Sequence, residues 1–214
     1  MTKRAERIVI YGAGGLGREI LHMLRLIHSG DESVILGFVD DGVPAGTVVN
    51  GLEVIGGMSC LSSMSEPYSV VLGMAEPGVK RKIHRELAKD PMISFPNIIH
   101  PASCVSDCAA LGEGVVIAAR CEVSVDVRIR DCAFLNVGTL VGHDVGIGAY
   151  SSIMSMTVVS GNVNIGEGCM IGVHSAIRPG VRIGSNCVID MGSIVLRDIP
   201  DGAAVFGNPA RRVS

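Results

Sequence analysis

From Ile99 to Val195 an aliphatic residue stands at every sixth position, seventeen times in succession. The series runs Ile99, Val105, Leu111, Ile117, Val123, Ile129, Leu135, Val141, Ile147, Ile153, Val159, Ile165, Ile171, Ile177, Ile183, Ile189 and Val195. A helix repeats near 3.6 residues and a strand near two, so neither produces this beat. A chain coiling as a triangular prism does, with one short strand and one turn per face and three hexads to a coil of eighteen residues. Each marked residue then points inward. Two positions earlier the residue is small or valine from Ala109 to Ser193, Cys121, Ser151, Thr157, Cys169 and Cys187 among them. This reads as a second inward site, too crowded for large side chains. Glycine often follows the aliphatic residue (Gly112, Gly142, Gly148, Gly166, Gly172, Gly184), as turns with positive φ would require. The expected fold of this part is an all-β parallel β-helix of hexapeptide repeats.

Composition agrees with a narrow prism. Hydrophobic residues make up 48% of the 214, yet aromatics only 3%, with no tryptophan. A net charge of −3 without a clustered basic stripe argues against a nucleic-acid partner. No apolar run approaches the roughly 18 residues of a spanning helix, so no membrane insertion is expected. The opening MTKRAERIVIYG is a charged lead into a strand and lacks the pattern of a signal peptide, which predicts a cytoplasmic protein. Of seven cysteines, Cys121, Cys169 and Cys187 fall on the small inward position and read as reduced packing residues. Cys60, Cys104, Cys108 and Cys132 form no CxxC pair, and neither a disulfide framework nor a metal is expected.

Before Ile99 an α/β rhythm replaces the six-residue beat. Arg7 to Tyr11, Val34 to Val39 and Ser69 to Gly73 read as strands, Arg18 to Ser29 and Val79 to Lys89 as helices. That order predicts a small Rossmann-like parallel sheet over residues 1–95, with the prism over 96–214. Gly12-x-Gly14-x-x-Gly17 directly follows the first strand and opens a helix, the context in which glycines admit a phosphate to a helix N-terminus. The alternative is a turn that only lets helix pack on strand. Asp40, at the end of the next strand, is placed to accept from a ribose or a base. About 95 residues supply only half of a doubly wound dinucleotide fold, so a mononucleotide diphosphate is expected.

With both halves read, the chain resembles one family over almost its full length. The matching stretches are IVIYGAGGLGRE, FVDD, IIHPAS, LNVGTLVGHDVGIG, SGNVNIGEGCMIGVHSAIRPGVRIG and IPDGAAVFGNPARRV. It looks like the bacterial sugar acyltransferases of the hexapeptide-repeat superfamily, which comprise nucleotide-amino-sugar N-acetyltransferases and sialic acid O-acetyltransferases. The resemblance implies a left-handed prism, a homotrimer, and acetyl-CoA in the groove between neighbouring prisms. It also implies a nucleotide-linked 4-amino-6-deoxy sugar as acceptor, held on the N-terminal domain, in surface glycan biosynthesis.

Acetyl transfer needs a neutral nucleophile, a stabilised thioester oxyanion and two substrates held in line. His143, two residues past the inward Val141 at a turn, is the expected general base, and His is the side chain suited to that task near neutrality. Asp144 either orients its ring, as the family's acidic residue does, or merely caps the turn. Gly161 lies eighteen residues past His143, one coil along the same edge, where the family has a glycine facing the thioester carbonyl; otherwise it is one more tight turn. Asn136 matches a family asparagine near the acceptor amine. The resemblance carries CoA contacts onto Ser152, Val173 and Met191, with Ser152 a departure where some relatives have a second histidine. Arg211 or Arg212 falls near a CoA phosphate. It carries the nucleotide sugar onto Gly12, Ala13, Gly14, Asp40, Asp41 and Gly73. Lys80 and Arg81 are diphosphate partners by charge, or a solvated face.

The remaining histidines are weaker candidates: His174 at a corner either flanks the CoA groove or is solvated, His22, His28 and His84 lie on helix surfaces, and His100 packs at the domain junction. Three rivals stand beside N-acetylation. O-acetylation of a sialic acid uses the same residues. A zinc hydratase needs three converging imidazoles, and the prism has two with His100 at its margin. A non-catalytic scaffold would have less reason to keep GHD and SGN.

Overall fold

The computed structural model describes residues 7–213, so most of the charged lead and Ser214 lie outside the described residues. Ile8–Tyr11 (β1), Gly15–Ile27 (α1), Ile35–Val39 (β2), Val48–Val49 (β3), Leu52–Gly56 (β4), Tyr68–Leu72 (β5), Pro77–Leu87 (α2) and Ile93–Ser94 (β6) form the first unit. Its sheet runs β3-β4-β2-β1-β5-β6, parallel except between β3 and β4. The three strands legible in the sequence are its centre. β3 and β6 are two residues each, too short to carry a period.

The alternation within β1 sorts the helices. Ile8 and Ile10 face α1 through Ile20, Leu21 and Leu24, whereas Val9 and Tyr11 face α2 through Ile83 and Leu87. Pro77 opens α2 at a position where its missing N–H costs nothing, and the Glu76 carboxylate accepts from Gly78 N–H.

From Ile98 the chain coils as a prism of three sheets, parallel except where Arg211–Arg212 turns back against Ala204–Phe206. Up to Val195 each strand pairs with the one eighteen residues on, as in Ile117 with Leu135 and Val141 with Val159, and the last coil closes after sixteen, Ile189 with Val205. Adjacent coils are therefore about 4.8 Å apart. The aliphatic and the small positions both point inward and form one apolar core. Small polar residues survive there because each finds a turn carbonyl, most often one fifteen residues on. Ser151 donates to Gly166 at 2.8 Å, Thr157 to Gly172 at 3.0 Å and Cys169 to Gly184 at 2.9 Å. Burial pushes the Cys169 thiol up to about 11, consistent with an inert packing residue.

The glycine reading needs correction. From Leu111 to Ile189 the left-handed position is the third residue after the aliphatic one, occupied for example by Asp126, Asp144, Asn162, His174 and Gly180. The glycines directly after the aliphatic residue are instead required by close approach between coils. A Cβ on Gly142 would stand 2.7 Å from the Gly161 nitrogen, and one on Gly166 2.6 Å from the Gly184 carbonyl carbon.

The first unit sits on the first prism face, the one that begins at Ile98–Ile99. There the outward residues Ile98, Val116, Phe134 and Ser152 are all buried. α1 lies towards the edge between the first and second faces, and α2 towards the edge between the third and first. Ala13 and Ala75, at the carboxyl ends of β1 and β5, join Val137 and Met154 in one apolar cluster. The crevice end of the sheet thus opens onto the first–second edge.

Candidate active site

His143 follows Val141 by two residues at the edge between the second and third faces. Asp144 has φ +57°, a conformation that Asp tolerates better than most residues, and it brings the carboxylate back beside the ring. His143 Nδ1 stands 2.8 Å from Asp144 Oδ2. With Nδ1 donating to that carboxylate, Nε2 carries the free lone pair. Both side chains are more than half exposed, 57% and 53%, so Nε2 is open to a substrate. One coil on, Gly161 lies beneath the ring. A Cβ there would stand 2.6 Å from His143 Nε2 and 2.7 Å from Cε1. The coils are tied together by Asn162 N–H to the His143 carbonyl at 2.9 Å. Among the described residues, nothing accepts from Gly161 N–H.

The glycine loop is held from within. Asp40 accepts from Ala13 N–H through one carboxylate oxygen and from Gly42 N–H through the other, each at 2.8 Å. Asp41 accepts from Tyr11 Oη at 2.5 Å and from Met58 N–H at 2.8 Å. The tyrosine hydroxyl and that backbone donor hold its carboxyl below the usual range. Burial, together with Asp41, pushes the Tyr11 phenol up. Both acids therefore act first as clamps on the loops that follow β1 and β4, and what they offer a nucleotide is their remaining lone pairs. Gly12 has φ +104° and donates to Val39 at 2.7 Å. Gly73 donates to Tyr11, and a Cβ on it would stand 2.8 Å from the Gly17 Cα. Gly14 and Gly15 face open space at the start of α1, where the first intrahelical bond is Arg18 N–H to Gly14. The earlier N–H groups remain available to an anion.

The remaining expected residues divide. Asn136, Val173 and the exposed Met191 lie on the first–second edge, and Asn136 Oδ1 accepts from Val137 N–H at 2.7 Å. This edge is separated from His143 by the second face, roughly 15 Å wide at ~3.3 Å per extended residue. One chain does not bring the two groups together. Ser152 is corrected: it is wholly buried under α2 and has no surface left for a CoA contact. Lys80 and Arg81 are corrected as well. Lys80 is buried against the prism, and Arg81 hydrogen-bonds Asn186 at 2.8 Å and pairs with Glu167 at 3.4 Å. His84 is no surface residue either. It lies between Tyr150 Oη at 3.0 Å and Glu113 at 3.2 Å, edge-on to Phe95.

Two family models match: the PglD N-terminal domain over residues 7–87, and the hexapeptide repeat of succinyl-transferase over residues 162–197. No curated protein sequence matches the chain. Among solved structures, PerB from Caulobacter crescentus in complex with CoA and GDP-perosamine superimposes with a TM-score of 0.89 at 29% identity, covering 99% of each chain. The acetyltransferase domain of PglB from Neisseria gonorrhoeae, in complex with acetyl coenzyme A, gives 0.89 at 29% identity, covering 98% of this chain and all of that one. Over nearly its full length the chain is similar to these hexapeptide-repeat sugar acyltransferases. WeeI from Acinetobacter baumannii AYE is a further structural relative, with a TM-score of 0.90 at 26% identity over 97% of this chain.

In this acyltransferase two histidines that the sequence left idle line a cleft of about 530 Å³ between α1 and the first–second edge. His22 and Arg18 stand on one wall, His100, Ala118 and Val137 on the other. His100 Nδ1 accepts from Ala102 N–H at 2.9 Å, which leaves Nε2–H as the donor. No spacing rule marks these residues, because the cleft exists only where α1 meets the prism. Among the described residues no helix is long and apolar enough to cross a membrane.

The contact between Gly161 and the imidazole makes a direct prediction. Gly161→Ala would push the ring aside by about 1 Å while leaving the coil intact, and misplacement of that size costs on the order of 100-fold in rate. The check is kcat beside the thermal midpoint. A full-rate Gly161→Ala enzyme would remove the imidazole from the mechanism.

Proposed function

We propose that this acyltransferase transfers the acetyl group of acetyl-CoA to the amine of a nucleotide-linked 4-amino-6-deoxy sugar, a step in surface glycan biosynthesis. The observation that carries the reading is the His143 imidazole, held at Nδ1 by Asp144 and open at Nε2 beside the unclaimed N–H of Gly161. The uncharged amine attacks the thioester carbonyl carbon while His143 Nε2 takes its proton. Asp144 stabilises the imidazolium that results. Gly161 N–H donates to the carbonyl oxygen as it gains charge, a fixed donor that needs no reorganisation. The C–S bond then breaks, and His143 returns the proton to the departing sulfur.

The open glycines at the head of α1 and the crevice leading to Asn136 support a nucleoside diphosphate with its sugar directed at the prism. The complexes of PerB with CoA and GDP-perosamine, and of PglB with acetyl coenzyme A, support the pair of substrates. The reading includes a homotrimer, in which the His143 edge of one copy meets the Asn136, Val173 and Met191 edge of the next. The second face between those edges exposes Leu140 and Val158, with Met156 and Val125 at its corners, an apolar surface suited to a second copy.

Thiol release from acetyl-CoA tests the reading, with UDP-, dTDP- and GDP-linked 4-amino-6-deoxy sugars as acceptors and free sialic acid as the contrast. Turnover is expected on one of the nucleotide-linked amines and not on sialic acid. Turnover on sialic acid alone would make the enzyme an O-acetyltransferase, and silence across the panel would remove the proposed reaction.

A further inference from the structure

The interface between α2 and the prism holds a lysine that neither acyl transfer nor nucleotide binding uses. Lys80 is 2% exposed, and burial pushes its ammonium down to about 7. Its Nζ donates to Ser152 Oγ at 2.9 Å and to the Cys132 carbonyl at 3.0 Å. The Ser151 carbonyl lies at 3.5 Å. Ser152 Oγ in turn donates to the Ala75 carbonyl at 2.5 Å. A buried cation is poor glue compared with an apolar side chain of the same volume, so its presence calls for a task other than stability.

The partners of the relay suggest that task. Ala75 belongs to the segment from Gly73 to Glu76 that links β5 to α2. That segment is the wall opposite the glycine loop, since a Cβ on Gly12 would stand 3.0 Å from the Gly73 oxygen. At the other end, Ser152 pairs in register with Phe134, two residues before Asn136. The strand that receives the relay is thus the direct neighbour of the strand leading into Asn136. The other polar contacts of α2 with the prism, Arg81 with Asn186 and Glu167, Arg85 with Glu167, and His84 with Tyr150 and Glu113, touch the third–first edge and not this segment.

We propose that Lys80 and Ser152 are positioning residues that set the height of the Gly73–Glu76 wall on the prism, so that a sugar carried by a nucleoside diphosphate on the glycine loop meets the Asn136 edge. This rests on the function proposed above. A slip of one coil, about 4.8 Å, would put the amine out of reach.

The test uses Ser152→Ala, Lys80→Met and the pair together, with Arg81→Met as a control that loosens α2 without touching the relay. Each single variant is expected to raise the KM for the nucleotide sugar about tenfold while the KM for acetyl-CoA stays put, with a modest fall in thermal midpoint because each leaves a buried polar group without a partner. The double variant should be no worse than either single one, because both break the same relay. Arg81→Met should leave the sugar KM unchanged. An unchanged sugar KM, equal rises in both KM values, or an equal rise in sugar KM for Arg81→Met would overturn the proposal. Should Lys80→Met fail to fold, Ser152→Ala alone decides. If the wild-type enzyme turns over no amino sugar, the proposed reaction fails separately, and calorimetric binding of UDP, GDP and dTDP then judges the relay. About tenfold weaker binding in Ser152→Ala would sustain it; equal binding, or none in the wild type, would end it.

Discussion

His143→Ala is expected to lower kcat by about 10²–10⁴-fold, the usual range for loss of a positioned proton acceptor. Binding of CoA and the thermal midpoint should hardly change. The ring is more than half exposed and its side-chain partner is the adjacent Asp144, so its removal opens no cavity and orphans no buried group. Some rate should remain, because the Gly161 N–H and the two substrate sites still act. Steady-state kinetics with saturating acetyl-CoA, beside a melting curve and a CoA titration, read all three quantities. Undiminished turnover in this variant would end the proposed chemistry. A parallel loss of fold would mean that the histidine is structural, which its exposure argues against.

The largest loss of stability is expected from Ile153→Ala, about 2–5 kcal/mol by urea unfolding. Ile153 is fully buried midway along the prism, stacked between Leu135 and Ile171 on neighbouring strands of the same face. The backbone around it cannot collapse into the void, because Met154 N–H donates to the Ile171 carbonyl at 2.9 Å and Asn136 N–H to the Ile153 carbonyl at 2.8 Å. The same truncation at Leu111, partly exposed in the first coil, should cost no more than about half as much. Each coil contacts only its neighbours, so an end coil has less to lose. Equal losses at the two positions would contradict a stack of nearest-neighbour layers.

How much of the molecule was legible follows from which signals are local. The hexad is a repeated local pattern, and it gave the prism, its eighteen-residue coil and both inward positions. The same period placed Gly161 beside His143, because residues eighteen apart share an edge whatever else the chain does. The glycine loop was legible as strand, turn and helix. The turn conformation was misread by two residues, since spacing identifies a corner but not which of its residues turns left-handed. Asp40 and Asp41 looked like free acceptors, and both proved to hold neighbouring loops as well. Ser152 was misread for a stronger reason. Its outward position would leave it exposed on a bare prism, and the first unit covers it.

Lys80 and His84 belong to the same lesson. On an isolated α2 they form a polar face like any other, and they become buried only because α2 docks against the third–first edge. A repeat that depends on neighbouring residues can be read from the order of amino acids along the chain. The docking of α1 and α2, the cleft with His22 and His100, and the relay from Lys80 through Ser152 arise between segments about 30 to 120 residues apart. No period links those segments, and burial there is a property of the folded pair rather than of either sequence.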